Sequence, residues 1–246
     1  MFLREVRFVD LPKSEEYPFN LLSFQTVRHL NLNRFLTFFV GENGSGKSTL
    51  LEAIATQAGF NPEGGSKGNQ FVTVSTESSL FEYLKLIWMP KVTEGFFFRA
   101  ESFFNFASHI DAAAKEPLTP LNPYAAYGGR SLHEQSHGES FLNLFTGRLS
   151  PRKPALYLLD EPEAALSPSR PLALLRVLKD HQKSGLSQFI IATHSPILLG
   201  YPGATLMSFD NGSIEPIRYQ DTTHYIIFKQ FLNSPETILR ELFRDD

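Results

Sequence analysis

The residues best suited to chemistry form an eight-residue run, Gly-Glu-Asn-Gly-Ser-Gly-Lys-Ser, at positions 41–48. This run matches the pattern G-x-x-x-x-G-K-[ST] in full, with an apolar segment before it and a helix-like segment after it. Its glycines allow the backbone to curl tightly, so that several amide groups can point inward at one anion. A helix starting at the end of the run would add the positive end of its dipole. The run therefore predicts a phosphate-binding loop, in preference to an incidental glycine-rich turn.

Three side chains at the end of this loop have separate expected tasks. Lys47 would bridge the β- and γ-phosphates of a nucleotide, and the Ser48 hydroxyl would bind Mg²⁺. Thr49 would contact the α-phosphate. The other expected phosphate-binding residues are Gly41, Asn43, Gly44, Ser45 and Gly46. The loop thus predicts ATP and Mg²⁺ as ligands.

A second place suited to chemistry is a pair of acids that follows the apolar segment 155–159. The carboxyl end of a strand beside a phosphate-binding loop is where Mg²⁺ needs a carboxylate. Asp160 would hold the metal, and Glu161 would polarise the attacking water as a general base. Two acids could also end a strand as a plain solvated turn, but the nearby phosphate loop makes the metal site the better interpretation.

These residues need a scaffold of strands that end at one edge. Apolar runs predict three core strands, and two helices are predicted to end at Gly59 and Gly185. The predicted strands are 35–40, 155–159 and 188–193, and the predicted helices are 48–58 and 171–184. This alternation predicts an α/β fold with a mainly parallel core sheet, plus an antiparallel β region.

The remaining segments are expected to complete one domain over residues 1–246, with a small helical subregion at about 100–150. The first 34 residues have the pattern of short strands and turns. Further strands are predicted near 71–75 and 95–99, and helices at 101–114, near 140 and near 235–243.

Composition narrows the class of protein. The chain of 246 residues is 42% apolar and 20% charged, which is typical of a globular protein. A net charge of −3 indicates no general nucleic-acid surface, although a local basic patch is compatible with it. The absence of cysteine excludes disulfides and cysteine-bound zinc or iron–sulfur clusters. No apolar run approaches the roughly 18 residues of a membrane span, and the start lacks a signal-peptide layout, so we expect a cytoplasmic protein without membrane insertion.

The phosphate loop and the run Leu-Leu-Asp-Glu-Pro at 158–162 are features of the ABC-type ATPases, which residues 24–210 resemble. Within that class the chain is similar to the soluble SMC/RecF/OLD-like branch, often labelled AAA family ATPases. The resemblance implies a P-loop NTPase fold of the ABC head-domain type. It also implies Mg²⁺-dependent ATP hydrolysis by a head-to-tail dimer. The chain lacks the long coiled coil that SMC-like repair ATPases carry after the phosphate loop.

A signature-like segment, Ser136-His137-Gly138-Glu139, precedes Asp160 by 24 residues (160 − 136). It resembles the Ser-Gly-Gly-Gln/Glu signature, which caps the ATP held by the other subunit. By that resemblance Ser136 and the Gly138 amide would contact the γ-phosphate, and Glu139 would complete the segment. His137 replaces a glycine of the signature, which puts the closeness of the backbone approach in question. A plain polar turn is the alternative.

Two segments after the acidic pair extend the resemblance. Residues 164–168 resemble the D-loop that passes between subunits, with Pro168 in place of the usual aspartate. His194 ends the predicted strand 188–193 and lies 34 residues after Asp160 (194 − 160), which is the position of the switch histidine. It would sense the γ-phosphate and orient the attacking water.

The family's glutamine that touches Mg²⁺ and water has no clear match. Gln70 follows a polar, glycine-rich loop and is poorly placed, whereas Glu101 follows the predicted strand 95–99 and could bind the metal instead. Glu101 as a surface acid and Arg99 as a phosphate contact are the alternatives. Tyr17 lies where transporter ATPases place an adenine-stacking aromatic residue, but core packing is the interpretation we favour.

The resemblance leaves several functions open. The one we favour is an ATP-dependent homodimer that acts as a soluble molecular switch on a protein partner, such as a nuclease or toxin in defence. An ATPase subunit of a membrane transporter is disfavoured by the altered signature, the altered D-loop and the missing glutamine. A DNA-associated repair-type ATPase and a slow-turnover regulatory module that uses ATP only to close the dimer are further alternatives.

Overall fold

A computed structural model describes residues 1–67, 78–114, 124–125, 129–134, 147, 149, 153–164 and 170–244. The strands are β1 (Leu3–Phe8), β2 (His29–Asn31), β3 (Leu36–Val40), β4 (Leu84–Trp88), β5 (Glu94–Arg99), β6 (Ala155–Asp160), β7 (Ser187–Ala192), β8 (Thr205–Ser208) and β9 (Glu215–Ile217). The α-helices are α1 (Leu22–Thr26), α2 (Lys47–Ala58), α3 (Phe103–Ala114), α4 (Arg170–Ser184), α5 (Pro196–Leu199), α6 (Thr223–Asn233) and α7 (Pro235–Leu242). Short 3₁₀ segments cover Ser79–Tyr83, Leu132–Glu134 and Tyr219–Asp221.

The central sheet has six strands in the order β5-β6-β7-β3-β8-β9. The first five run parallel, and β9 runs antiparallel to β8. The strands β3, β6 and β7 are buried along their whole lengths, as expected for parallel strands covered on both faces. The mixed α/β fold with a mainly parallel sheet, predicted from the sequence, is confirmed.

Alternation along the strands divides the interior into two apolar cores. In β3, Phe39 packs in the core formed with α2 and the antiparallel strands, whereas Phe38 and Val40 pack in the core formed with α3, α4 and α5. Successive side chains of a strand point to opposite faces, so one strand serves both cores. The described part of the molecule therefore has three layers, with the central sheet in the middle.

A separate antiparallel sheet has the order β2-β1-β4 and is tied to the central sheet by Gln188 of β7. The Gln188 Oε1 accepts hydrogen bonds from the amides of Phe2 (2.9 Å) and Leu3 (2.8 Å). Its Nε2 donates to the carbonyls of Leu3 (2.7 Å) and Leu32 (2.6 Å). Leaving such a buried group unpaired would cost about 1–3 kcal/mol, so the polar side chain is stable here only because both ends are satisfied.

The turn from β3 into α2 requires glycine at its last position. Gly46 has φ 98°, and a Cβ there would lie 2.7 Å from the Phe24 ring and 2.8 Å from the Leu21 side chain. The short helix α1 thus packs directly behind the turn. At its other end α2 stops at Gly59 with φ 90°, as predicted.

The remaining predicted elements divide into two groups. Strand 95–99 and the helices at 101–114 and 235–243 are confirmed as β5, α3 and α7. The strand near 71–75, the helix near 140 and most of the subregion at about 100–150 lie outside the described residues, so the single-domain organisation stays a prediction.

The helices α1 and α6 are not predicted from the sequence. The start of α6 is fixed by Thr222, whose hydroxyl accepts from the amide of Tyr225 at 3.2 Å. The β-branched and aromatic residues that follow favour strands by propensity, which hides this helix from a pattern analysis. Within the described residues, no helix is both long and apolar enough to cross a membrane.

Candidate nucleotide site

The glycine-rich turn surrounds the ammonium group of Lys47. Its Nζ donates to the carbonyls of Gly41 and Glu42, both at 2.8 Å. The residue is only 4% exposed, and burial lowers the pKa of Lys47 against the opposing influence of nearby carboxylates, of which Glu161 is the strongest. The positive charge is therefore held in the middle of the loop, where an anion bound by the loop amides would meet it.

The end of the turn and the end of β6 meet through one hydrogen bond. The Ser48 Oγ donates to Oδ1 of Asp160 at 2.8 Å. Burial raises the pKa of Asp160 to about 6, against the lowering influence of the Ser48 bond and of Arg99. A hydroxyl and a buried carboxylate in contact form a hard oxygen donor pair, which fits Mg²⁺.

The metal would keep several water ligands at this pair. No group of three or more acidic or histidine side chains that could hold a metal is found in the part of the chain that the structure describes. Mg²⁺ dehydrates reluctantly and binds through one or two protein ligands plus phosphates. The residues present therefore suit Mg²⁺ carried with a nucleotide better than a metal bound by the protein alone.

Glu161 and His194 face each other just beyond the ends of β6 and β7. Glu161 turns out of the strand with φ 47°, and its amide donates to the carbonyl of Ala192 at 2.9 Å. The Nε2 of His194 lies 3.8 Å from Oε1 of Glu161. That nitrogen is buried, and no described residue hydrogen-bonds to it. Burial, and then the charge of Lys47, lower the pKa of His194, so the neutral imidazole is favoured.

Glu163 holds the turn that carries His194, a contact the sequence analysis missed. Its Oε1 accepts from the Thr193 hydroxyl (2.7 Å), the His194 amide (2.6 Å) and the Ser195 amide (3.1 Å). A third acid two residues after the Asp-Glu pair is the signal that could have pointed to it. Its effect is to fix where the His194 backbone lies relative to Glu161.

Asp210 holds the start of the phosphate loop and was also missed. Its Oδ1 accepts from the Glu42 amide at 2.9 Å. A Cβ on Gly41, which has φ 152°, would lie 2.9 Å from the same oxygen. Because Asp210 follows β8, and β8 pairs with β3, the parallel pairing brings this acid to the loop. An acid just beyond an outer strand gave no motif by which to find it.

Arg99 lies at the end of β5, directly opposite Asp160 in the sheet register. Its guanidinium donates to Glu52 at 2.7 Å and to Glu101 at 3.3 Å. Its Nε lies 3.8 Å from Oδ2 of Asp160. In this structure Arg99 therefore contacts carboxylates, which leaves its suggested phosphate contact a prediction. The Glu101 side chain is 83% exposed, and its metal-binding role likewise stays a prediction.

The core-packing interpretation of Tyr17 is wrong. This residue is 59% exposed, and its hydroxyl hydrogen-bonds to Oγ1 of Thr49 at the start of α2. A tyrosine must bury its ring to serve as a core residue, and this ring instead lies free beside the residue expected at the α-phosphate. The structure thus places an exposed aromatic face at the outer end of the phosphate loop.

The histidine ring of His194 has a second neighbour that the sequence gave no reason to expect. Its Nδ1 lies 2.8 Å from Nε2 of His224, the second residue of α6. The chain brings this residue back to the site 30 positions after His194 (224 − 194), through β8, β9 and the turn Tyr219–Asp221.

Several expected site residues lie outside the described residues. They are Gln70, Ser136, His137, Gly138, Glu139 and the D-loop-like residues 165–168. The described residues bring together the phosphate loop, Asp160, Glu161 and His194 at one edge of the sheet, as the sequence analysis expects.

Comparisons with known proteins identify the family of the chain. A family model for an AAA domain, assigned to the AbiEii toxin of a type IV toxin–antitoxin system, matches residues 68–200, more than half of the chain. A second AAA-domain model matches residues 19–86. The xylose import ATP-binding protein XylG of Thermoanaerobacter pseudethanolicus is 28% identical over an alignment of 173 residues, which covers 62% of this chain. The chain spans only 32% of the length of that relative.

A solved transporter structure shares the fold of this chain. An ABC transporter assigned to the metal-chelate type, in an inward-facing conformation, superposes with a TM-score of 0.53 at 16% identity, covering 92% of this chain and 88% of that one. The SMC head domain from Thermotoga maritima has a TM-score of 0.43 at 16% identity and covers 89% of this chain and 100% of that one.

The phosphate loop and the family match together define an ATP-binding P-loop ATPase, and its fold is that of the ABC-type ATPases. Within it, the chain belongs to the AAA-domain family whose model matches residues 68–200.

Proposed function

We propose that the protein binds ATP with Mg²⁺ and hydrolyses it at the sheet edge where β3, β6 and β7 end. The observation that carries this proposal is the 2.8 Å hydrogen bond from Ser48 to Asp160, formed beside the buried ammonium of Lys47. In P-loop NTPases, the protein ligands of Mg²⁺ are a hydroxyl at the start of the helix after the loop and a carboxylate at the end of a strand. Their contact supports a metal site between the loop and β6.

The side chains around this point divide the work. When bound, Mg²⁺ at Ser48 and Asp160 would neutralise developing phosphate charge. Lys47 would exchange two loop carbonyls for phosphate oxygens, with which it makes stronger charge-assisted hydrogen bonds. Glu161 is half-exposed and can accept the proton of an attacking water. His194 faces Glu161 and would also contact the γ-phosphate.

Tyr17 supplies a candidate platform for the base. Its exposed ring is fixed at the hydroxyl by Thr49, next to the expected α-phosphate position. Aromatic stacking on a nucleobase contributes about 1–3 kcal/mol per base. We assign the adenine to this face, which replaces the core role that the sequence analysis favours.

The substitution Glu161→Gln tests the hydrolytic assignment. It keeps the shape of the side chain and removes its basicity, so hydrolysis should fall by roughly 10²–10⁴ while ATP binding is retained. Phosphate release and calorimetric ATP binding, measured on the same preparation, separate the two. Hydrolysis at the wild-type rate by this variant would place the general base elsewhere.

The proposed working unit is an ATP-gated head-to-tail homodimer. The loop, Asp160, Glu161 and His194 all come from one edge of the sheet, so they cover one side of a bound triphosphate. A second copy would cover the other side with the segment around Ser136, Gly138 and Glu139. A two-fold axis makes one such contact into two equal sites, and the dependence on the γ-phosphate would make closure respond to ATP.

Light scattering tests the dimer. With Mg²⁺ and ATP, the Glu161→Gln protein should double its mass, whereas ADP should leave it monomeric. Adding Ser136→Arg should abolish the dimer and leave ATP binding by the monomer largely intact. A Glu161→Gln protein that stays monomeric with saturating ATP, or that dimerises equally without nucleotide, would refute ATP gating.

The partner is proposed to be a protein, with the ATPase acting as a defence-related switch. The family description, which names a toxin of a toxin–antitoxin system, supports this assignment. Overall acidity gives no support to nucleic acid as the main partner. The xylose import relative favours a transporter subunit as the second candidate. Pull-down of the Glu161→Gln protein with ATP from its native host separates them, because a membrane permease and a soluble effector are distinct outcomes.

A further inference from the structure

The two histidines at the site form a hydrogen bond whose direction can be assigned. With 2.8 Å between Nδ1 of His194 and Nε2 of His224, one nitrogen must carry a proton and the other must offer a lone pair. Either His224 donates and His194 keeps its proton on Nε2, or His194 donates and its Nε2 becomes an acceptor. The surroundings of the His194 Nε2 decide between these two arrangements.

That nitrogen faces a carboxylate. It is buried, no described residue hydrogen-bonds to it, and Oε1 of Glu161 lies 3.8 Å away. A lone pair there would face the negative oxygen, whereas an N–H would be attracted to it. An N–H is also the form of this nitrogen that can donate to a phosphate oxygen. The first arrangement is therefore the stable one.

The position of His224 beside His194 is fixed by contacts of its own helix and of the segment before it. It lies in the first turn of α6, which Thr222 caps by accepting from the Tyr225 amide. The Tyr219 hydroxyl donates to the carbonyl of Pro196 at 2.8 Å, and this joins the 3₁₀ segment before α6 to the first residue of α5, two positions after His194. Burial, and then the charge of Lys47, lower the pKa of His224, which favours a neutral ring able to act as a single donor.

We infer that His224 is a positioning residue, which donates its Nε2 proton to Nδ1 of His194 and so keeps the His194 proton on Nε2, toward Glu161 and the γ-phosphate. This inference rests on the proposed ATP hydrolysis for its purpose, but the tautomer of His194 is a property of the protein without nucleotide. Glu163 fixes the backbone of His194, and His224 fixes its ring.

Three substitutions at one position test the assignment. His224→Gln retains an N–H donor that can reach the same place, His224→Phe removes the donor, and His224→Glu offers only an acceptor when ionised. Nitrogen NMR of the histidine-labelled, nucleotide-free protein reports which ring nitrogen bears the proton. The His194 signals are identified by their loss in His194→Gln.

The expected result is a His194 proton on Nε2 in the wild type and His224→Gln, and a proton on Nδ1 in His224→Glu. In His224→Phe the proton should still favour Nε2, but less strongly, because only Glu161 then selects that tautomer. A wild-type His194 with its proton on Nδ1, or an unchanged pattern in His224→Glu, would overturn the inference. These spectra report the tautomer of His194 whether or not the protein hydrolyses ATP. A protein that hydrolyses no ATP would contradict the proposed function but not the assigned tautomer.

Hydrolysis kinetics provide the second readout. Loss of a partner that orients a metal-binding histidine lowers activity about 10–100-fold, and we expect a loss of the same order for His194. The kcat should therefore fall about tenfold in His224→Phe and about a hundredfold in His224→Glu, with KM nearly unchanged. His224→Gln should stay close to wild type, as should His29→Phe, which removes an exposed imidazole on β2. Thermal unfolding would show that both variants are folded. If kcat then fell equally in His224→Gln and His224→Phe, His224 would be only a packing residue, which would contradict the inference.

Discussion

The candidate site has a phosphate end, at the loop around Lys47, and a hydrolytic end, at Glu161 and His194. Different chemical groups form these two ends. At the phosphate end, backbone groups dominate, since the loop carbonyls hold Lys47 and the Glu42 amide is held by Asp210. At the hydrolytic end, side chains dominate, with Glu163 beneath His194 and His224 beside it. A backbone-built site needs one short, contiguous segment, whereas a side-chain-built site needs several segments brought together by the fold. The two ends should therefore respond differently to substitution.

The largest effect within this comparison is expected on binding, at the phosphate end. Lys47→Ala removes a charge-assisted contact worth roughly 1.5–3 kcal/mol, so ATP affinity should fall at least about tenfold. Titration calorimetry measures this loss. Lys179→Ala, which removes an exposed lysine on α4, should bind ATP like the wild type. Unchanged affinity in Lys47→Ala would mean that the loop amides alone supply the binding energy.

An effect of similar size is expected where the two ends meet, at Asp160. Its folded pKa of about 6 lies above the ordinary value of 3.8 because of burial. A raised carboxyl pKa gives stability that is fully present below pH 3.8 and is lost as pH rises through about 6. Asp160→Asn keeps the neutral state, so without metal it should be more stable than the wild type by about 2–3 kcal/mol at pH 8.

Urea unfolding in the presence of a chelator checks this sign. The gap between the two proteins should shrink markedly at pH 5, where Asp160 of the wild type is itself largely protonated. Equal stability at pH 8 would mean that Ser48 and Arg99 offset the burial of this carboxylate in full.

The smallest effect is expected from Glu163, at the hydrolytic end. Glu163→Ala leaves the donors on Thr193, His194 and Ser195 without their acceptor and lets His194 shift. We expect kcat to fall about tenfold with ATP affinity unchanged, a loss of the order seen for residues that orient metal-binding histidines. Glu163→Gln keeps an acceptor oxygen and should retain most activity. A loss of ATP affinity in Glu163→Ala would show that the two ends are not separable.

The same contrast explains how much the sequence predicts. The phosphate loop, Asp160 and Glu161 are found because local patterns encode them, namely glycines that permit the turn and acids that end an apolar strand. Such strands also give the parallel sheet, because continuous burial leaves few other arrangements. His194 is found at a strand end for the same reason.

Contacts that depend on tertiary structure are not encoded this way. Asp210 reaches the loop through the pairing of β8 with β3, and His224 returns through a helix whose residues favour strands by propensity. Tyr17 is misassigned because an aromatic residue is usually buried, and its exposure depends on how the chain before α1 lies against α2. In each case a distant segment, rather than a neighbour in sequence, decides the role of the residue.

Gln188 has a consequence for how the molecule opens. Its side-chain amide lies near the start of β7, the strand that leads to His194, and its four hydrogen bonds all go to the N-terminal segments. If the antiparallel sheet separated from the central sheet, this amide would lose its hydrogen bonds while still buried among apolar residues. Local opening of the N-terminal strands is therefore coupled to opening of β7, and the amide of Leu3 should exchange its hydrogen with solvent as slowly as the amides of the central sheet.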